Sequence, residues 1–239
     1  SDVYKRQVWI PVCHESELAE PYDFRTMTIA REPIIVCRDA DNRIRAFLNV
    51  CPHRANLIER RPSGSFKEGT PSGNPKNMTC MFHAWQFDMK GRCVHISRAE
   101  EGYQDRLSTK DVGLRRLRCE VAFGGMVWVT LNDHVEHSVK DWVGSALDCI
   151  LEPIETEPLE IFHYHKSIIQ SNYKLWHDTN RELYHEYLHR HNRMVAVSQP
   201  GYFDRLYHIF GNGHMSADPM DTRYHAYEGK AGEHRKLGW

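Results

Sequence analysis

The sequence predicts an α+β protein, with an antiparallel β domain followed by a helix-bearing region. Three observations predict it. Between Phe24 and Leu131, β-branched and aromatic runs alternate with polar turn formers. From Asn172 to Asn192, helix-forming residues continue without a Gly or Pro. Between these regions lies "LEPIETEPLE", residues 151–160, whose acidic and Pro-containing composition reads as a linker or exposed edge.

Taken in order, "SDVYKRQ" lacks an initiator Met and resembles an adapter-derived lead, so residues 1–7 are expected to be non-native and the fold to begin near Val8. "FRTMTI", "PIIVCR" and "IRAFLNV" read as strands, the last two joined by the polar turn "DADNR". "WQFDMKGRCVHI" reads as a hairpin about Met89-Lys90-Gly91, and "GGMVWVTL" as a buried strand. "IFHYHKSIIQ", residues 161–170, is a further strand candidate, and the helix follows it. The expected division is 8–145 for the β domain with its flanking N-terminal segment and 146–239 for the second domain.

With 239 residues, 41% of them hydrophobic, the chain is long enough to bury a sizeable core. A formal net charge of -1 gives no general attraction to nucleic acid or to an anionic membrane surface. No apolar run approaches the roughly 20 residues needed to cross a bilayer, and a cytoplasmic location is expected. Seven cysteines, at 13, 37, 51, 80, 93, 119 and 149, suit reduced thiols or metal ligands better than a disulfide framework.

Two pairs carry the chemistry, Cys51-x-His53 and Cys80-x-x-His83. Each fits a turn at the tip of a hairpin. Three readings compete: a Cys2His2 zinc site, although the order is unusual for a zinc finger; a Cys51–Cys80 disulfide or two core thiols beside unrelated histidines; and a Rieske [2Fe-2S] cluster. "CPHR" and "CMFHAW" resemble the two boxes of Rieske proteins. That resemblance implies Cys51 and Cys80 on one iron and His53 and His83 on the other. The interval of residues 54–79 is longer than is usual in the oxygenases, and its excess, "SGSFKEGTPSGNPKN", has the composition of a flexible surface loop.

A second constellation separates a carrier from a catalyst. Glu182, His185 and His189 stand at relative positions 0, 3 and 7, on one face of a helix. Histidines at i and i+4 grip one metal ion, and a carboxylate from elsewhere would complete the facial triad of a non-haem Fe(II) oxygenase. The bland alternative is an amphipathic helix with interfacial histidines. Asn172-Tyr173-Lys174, Asp178 and Glu182-Leu183-Tyr184-His185 resemble the signature of Rieske non-haem iron oxygenase α subunits. The likeness runs from Val8 to about His191. His191 is the alternative second iron ligand, and Glu182 stands where the family usually has Asp.

The resemblance implies an antiparallel β Rieske domain followed by the truncated start of a helix-grip-like catalytic domain. It also implies a mononuclear Fe(II) at His185 and His189, with a third, carboxylate ligand expected beyond residue 239, and Glu182 linking the two iron centres across a subunit boundary. Partners implied are a reductase fed by NAD(P)H, with or without a ferredoxin, a homotrimer of α subunits, and in some relatives a small β subunit. O2 is the co-substrate, and hydroxylation of an aromatic ring or aromatic acid is the expected reaction. Glu182 keeps demethylation or cleavage of a quaternary amine as an alternative, and an electron carrier without oxygenase activity is the alternative of another class.

Overall fold

A computed structural model describes residues 6–69, 73–104, 106–147, 151, 154–155, 157–181, 206–210, 213–217 and 233–236. They fall into two compact units, Ser1–Val139 with Leu159–Ile161, and Lys140–Pro158 with Phe162–Trp239. Among the described residues no helix is long and apolar enough to cross a membrane.

The first unit holds β1 (Ile10–His14), β2 (Asp23–Ile29), β3 (Glu32–Arg38), β4 (Ile44–Leu48), β5 (Ser63–Ser65), β6 (Met78–Thr79), β7 (Gln86–Phe87), β8 (Cys93–His95), β9 (Arg116–Ala122) and β10 (Met126–Thr130), with a short helix α1 (Ala99–Tyr103). Seven strands form an antiparallel sheet in the order β1-β10-β9-β4-β3-β2-β5, and β6-β7-β8 form a second, smaller one.

The run "IIVC" in β3 explains how the domain is built. Successive side chains of a strand point to opposite faces. Ile34 and Val36 pack with Leu18, Ile29, Ala46, Leu117, Val127 and Val129. Ile35 and Cys37 pack on the other side with Phe24, Phe47, Trp85 and Phe87. Both faces of β3 are therefore buried, which is why the strand reads as continuous apolar sequence and why its pairing of Ile35 with Phe47 cannot slip by one residue. The face bearing Ile35 is the one on which Cys51 and Cys80 also lie.

The hairpin expected about Met89-Lys90-Gly91 is present. Asp88 Oδ1 accepts from the N–H of Lys90 at 2.9 Å and of Arg92 at 3.0 Å. Gly91 has φ +81°, and a Cβ there would lie 2.4 Å from Phe47 Cε1. Gly91→Ala adds a left-handed backbone cost to a clash with a fully buried ring, so we expect it to lower stability by about 2–4 kcal/mol. Urea unfolding should show the midpoint falling with the slope unchanged.

The interval between the boxes differs from its expected form. Residues Ser63–Ser65 are a strand, pairing Phe24 with Gly64 and Arg25 with Ser63. Phe66, only 2% exposed, stacks on Phe24 with ring centroids 4.4 Å apart. The Arg61 guanidinium lies 5.0 Å from the Phe24 centroid, and Lys76 N–H donates to Phe66 C=O at 2.7 Å. A composition rich in Ser, Gly and Pro masks this anchoring, because one buried aromatic ring is enough to fix the segment to the core.

A short helix, α2 (Val139–Val143), falls at the division between the units. The second unit contains α3 (Tyr173–Arg181) and an antiparallel sheet of β11 (Leu206–Ile209), β12 (Met215–Ala217) and β13 (Glu233–Lys236), in the order β12-β11-β13. Asn172 caps α3, its Oδ1 accepting from Lys174 N–H at 2.9 Å. The helix expected over 172–192 is seen as far as Arg181, and its continuation lies outside the described residues. Residues 161–170, expected as a strand, have no regular secondary structure, and Phe162 and Ile168 are 99% and 86% exposed. An apolar run meets the composition of a strand, but a ladder also requires a neighbouring strand, and none pairs with it among the described residues.

Candidate metal centre

The two boxes sit on turns of one design. Cys51 N–H donates to Asn56 C=O at 2.8 Å, and Ala55 N–H returns to Cys51 C=O at 3.0 Å. In the second box, Cys80 N–H donates to Trp85 C=O at 2.8 Å and Ala84 N–H returns to Cys80 C=O at 2.9 Å. Val50 bridges Leu57 beneath the first turn, and Thr79 pairs with Gln86 beneath the second. Ala55 and Ala84, each four residues after its cysteine, are both left-handed, at φ +54° and +55°.

The histidine comes two residues after the cysteine in one turn and three in the other. The two imidazoles converge all the same, with centroids 4.7 Å apart and planes at 62°. His53 lies flat on the buried indole of Trp85, at 4.8 Å and 5°, with Tyr103 edge-on at 6.4 Å. The ring of Phe82 rests against His83 at 3.9 Å. These contacts hold both rings in place, as an iron ligand requires.

Cys51 and Cys80 are buried free thiols, which removes the disulfide reading. Burial pushes the Cys51 thiol up to about 11; the backbone N–H of His53 opposes the rise and the Cys80 sulfur adds to it. Burial also pulls His53 down, with His83 and Arg54 acting in the same direction, so its neutral, ligating form is favoured. Loading a metal here must expel the Cys51 proton.

His83 Nδ1 is buried and has no hydrogen-bond partner among the described residues. An unmet polar atom of this kind costs on the order of 1–3 kcal/mol, which ligation relieves. Among the described residues no three His, Cys, Asp or Glu side chains converge on a single ion. A tetrahedral zinc site needs such convergence. A binuclear Rieske cluster does not, because each iron takes only two protein donors and sulfide completes its coordination. The donors therefore fit a [2Fe-2S] cluster better than zinc. A depression of about 910 Å³, lined by His53, Arg54, Phe82, His83, Arg98 and Tyr103 among others, opens the imidazole side to the surface.

One neighbour was not found by sequence reasoning. The side chain of Asn56 crosses from the first turn to the second, placing Nδ2 3.9 Å from Cys80 Sγ. No spacing rule marks it, since it follows the first box and contacts the other one. Glu182, His185, His189 and His191 lie outside the described residues.

Residues 8–115 match the family model of the Rieske [2Fe-2S] domain. The methanesulfonate monooxygenase hydroxylase subunit alpha of Methylosulfonomonas methylovora is 60% identical over 224 residues, covering 94% of this chain and 54% of the relative. The 2-aminobenzenesulfonate 2,3-dioxygenase subunit alpha of an Alcaligenes species is 34% identical over 224 residues, covering 93% of this chain and 54% of the relative. The chain spans about half the length of these curated relatives. A crystal structure of a quaternary ammonium Rieske monooxygenase with a bound inhibitor superposes at a TM-score of 0.73 and 23% identity, over 90% of this chain and 56% of that one, which establishes likeness of fold.

Proposed function

This chain belongs to the family of Rieske oxygenase α subunits, and on that premise we propose that it is the terminal oxygenase component of a multi-component hydroxylating system whose substrate is a small organic sulfonate. The observation that carries the substrate class is the 60% identity over 224 residues with an α subunit named for methanesulfonate. The more distant relative is named for an aminobenzenesulfonate, so the sulfonate group is common to both names. The second relative also supports hydroxylation of an aromatic ring as the second reading.

When bound, the cluster supplies one-electron storage and a mononuclear Fe(II) supplies the oxygen chemistry. Cys51 and Cys80 would hold one iron of the cluster, and His53 and His83 the other. Trp85, Tyr103 and Phe82 orient the two imidazoles. His185 and His189, with His191 as the alternative, would hold the mononuclear iron. Glu182 would link the two iron centres across a subunit boundary of a trimer. Electrons come from NAD(P)H through a reductase, with or without a ferredoxin. The sum is C–H, O2, two electrons and two protons giving C–OH and water. The division at 145/146 into Rieske and catalytic domains and a cytoplasmic location belong to the same proposal.

The test uses the full-length subunit with its reductase, and measures O2 uptake and hydroxylated product for methanesulfonate, 2-aminobenzenesulfonate, benzoate and a betaine. The expected result is a kcat/KM for methanesulfonate at least tenfold above those for benzoate and the betaine. Preference for benzoate or the betaine overturns the sulfonate assignment. Glu182→Gln should retain both iron centres but slow single-turnover oxidation of the reduced cluster at least 100-fold, about 3 kcal/mol in barrier. Rapid-quench EPR reads that rate, and oxidation at the wild-type rate removes Glu182 from the path.

A further inference from the structure

We propose that Asn56 is a positioning residue that raises the reduction potential of the cluster by donating a hydrogen bond from its side-chain amide to Cys80 Sγ. The proposal rests on the [2Fe-2S] reading of the site.

Asn56 belongs to the turn that carries the other cysteine. Its backbone carbonyl accepts from Cys51 N–H at 2.8 Å, which fixes where the side chain begins. One amide hydrogen of Nδ2 is directed to Leu57 C=O at 2.9 Å. Nδ2 is also 3.9 Å from Cys80 Sγ, within reach of sulfur, a larger and softer acceptor than oxygen. Oδ1 accepts from an Arg60 guanidinium nitrogen at 3.5 Å. Arginine has donors only, so this contact requires oxygen at that end of the amide and nitrogen at the end facing the sulfur.

An N–H aimed at a ligating sulfur stabilises negative charge there. Reduction adds one electron to a cluster that Cys80 helps to hold, so the hydrogen bond favours the reduced form over the oxidised one. Arg60 acts in the same direction from the far end, by polarising the amide it contacts. Of the polar groups within hydrogen-bond distance of Cys80 Sγ among the described residues, Asn56 is the side-chain amide. It ties the redox behaviour of the second box to the placement of the first.

The experiment is a redox titration of the full-length, cluster-loaded protein followed by visible circular dichroism, with iron and sulfide measured on each sample. Asn56→Leu keeps approximate size and removes the donor. At a fixed poise its reduced-to-oxidised ratio should be about three- to tenfold lower than in the wild type, tenfold being 59 mV for a one-electron couple. Asn56→Ser, smaller and leaving the backbone bonds of the turn in place, should shift the ratio in the same direction. A fully loaded Asn56→Leu protein whose ratio stays within 1.5-fold of the wild type overturns the proposal, as does failure of both variants to load, which would make Asn56 an assembly residue. A wild-type protein without iron and sulfide refutes the cluster reading itself, a result separate from either of these.

Discussion

Cys80→Ser will empty the cluster site and leave the metal-free domain folded. Cys80 is buried in one core cluster with Ile58, Met78, Trp85 and Phe87, where a thiol without metal acts as a small apolar side chain. Serine there buries a hydroxyl in place of a thiol, a cost of about 1–3 kcal/mol that a core with two buried faces can absorb. Iron binding should lose far more, because a neutral hydroxyl does not replace a thiolate and an iron bound by Cys51 would keep one protein ligand in place of two. Iron and sulfide in the Rieske domain should fall below about a tenth of the wild-type content, with the visible absorption lost and the far-ultraviolet circular dichroism retained. Full sulfide content in this variant would remove Cys80 from the ligand set, and a colourless wild type holding zinc would remove the cluster.

Phe66→Ala should cost about 3–4 kcal/mol, the loss expected when a fully buried ring is cut back and its cavity fills only in part. The neighbours of Phe66 make partial filling the expected outcome. Phe24, which stacks on Phe66, is held by the pairing of β2 with β3, and Ile35 and Phe47 of the same core cluster are held by the central strands, which limits how far the core can close into the space. Loss of the ring should also free Ser63–Ser65 from the edge of the sheet, because the strand pairs only three residues with β2. Urea unfolding measures the first effect, and limited proteolysis between Pro62 and Lys76 measures the second. Ser65→Ala serves as the control, expected within about 0.5 kcal/mol. A cost below 1 kcal/mol for Phe66→Ala would return the interval to the loose loop that its composition suggests.

The contrast between Phe66 and "IIVC" shows what sequence reveals. A central strand buried on both faces must be apolar at every position, so β3 was legible from its residues alone. The two boxes stood out because Cys and His recur at such short spacing, and their resemblance to Rieske boxes supplied the reading. The anchoring of the interval was not, because it depends on one ring among polar residues, and what matters is the ring's partner, Phe24, far away in sequence. The common geometry of the two turns was hidden by the differing histidine offsets. Its only trace is an alanine four residues after each cysteine, a residue type that says nothing of a left-handed backbone. The segment 161–170 failed in the opposite sense, since its apolar residues stated a preference that no neighbouring strand among the described residues meets. Glu182, His185 and His189 were read by helical periodicity, and that reading stands on sequence alone.

The anchoring of Phe66 also bears on how the domain assembles. Two donor boxes separated by residues 54–79 would have to find each other by closing one long loop, the kind of distant contact that slows folding. Docking Phe66 onto Phe24 and β5 onto β2 divides that search into two shorter closures. Each halving of length lowers the closure cost by about 0.6 kcal/mol. The second turn is thereby brought beside the first by contacts of the polypeptide itself, Phe66 on Phe24 and β5 on β2.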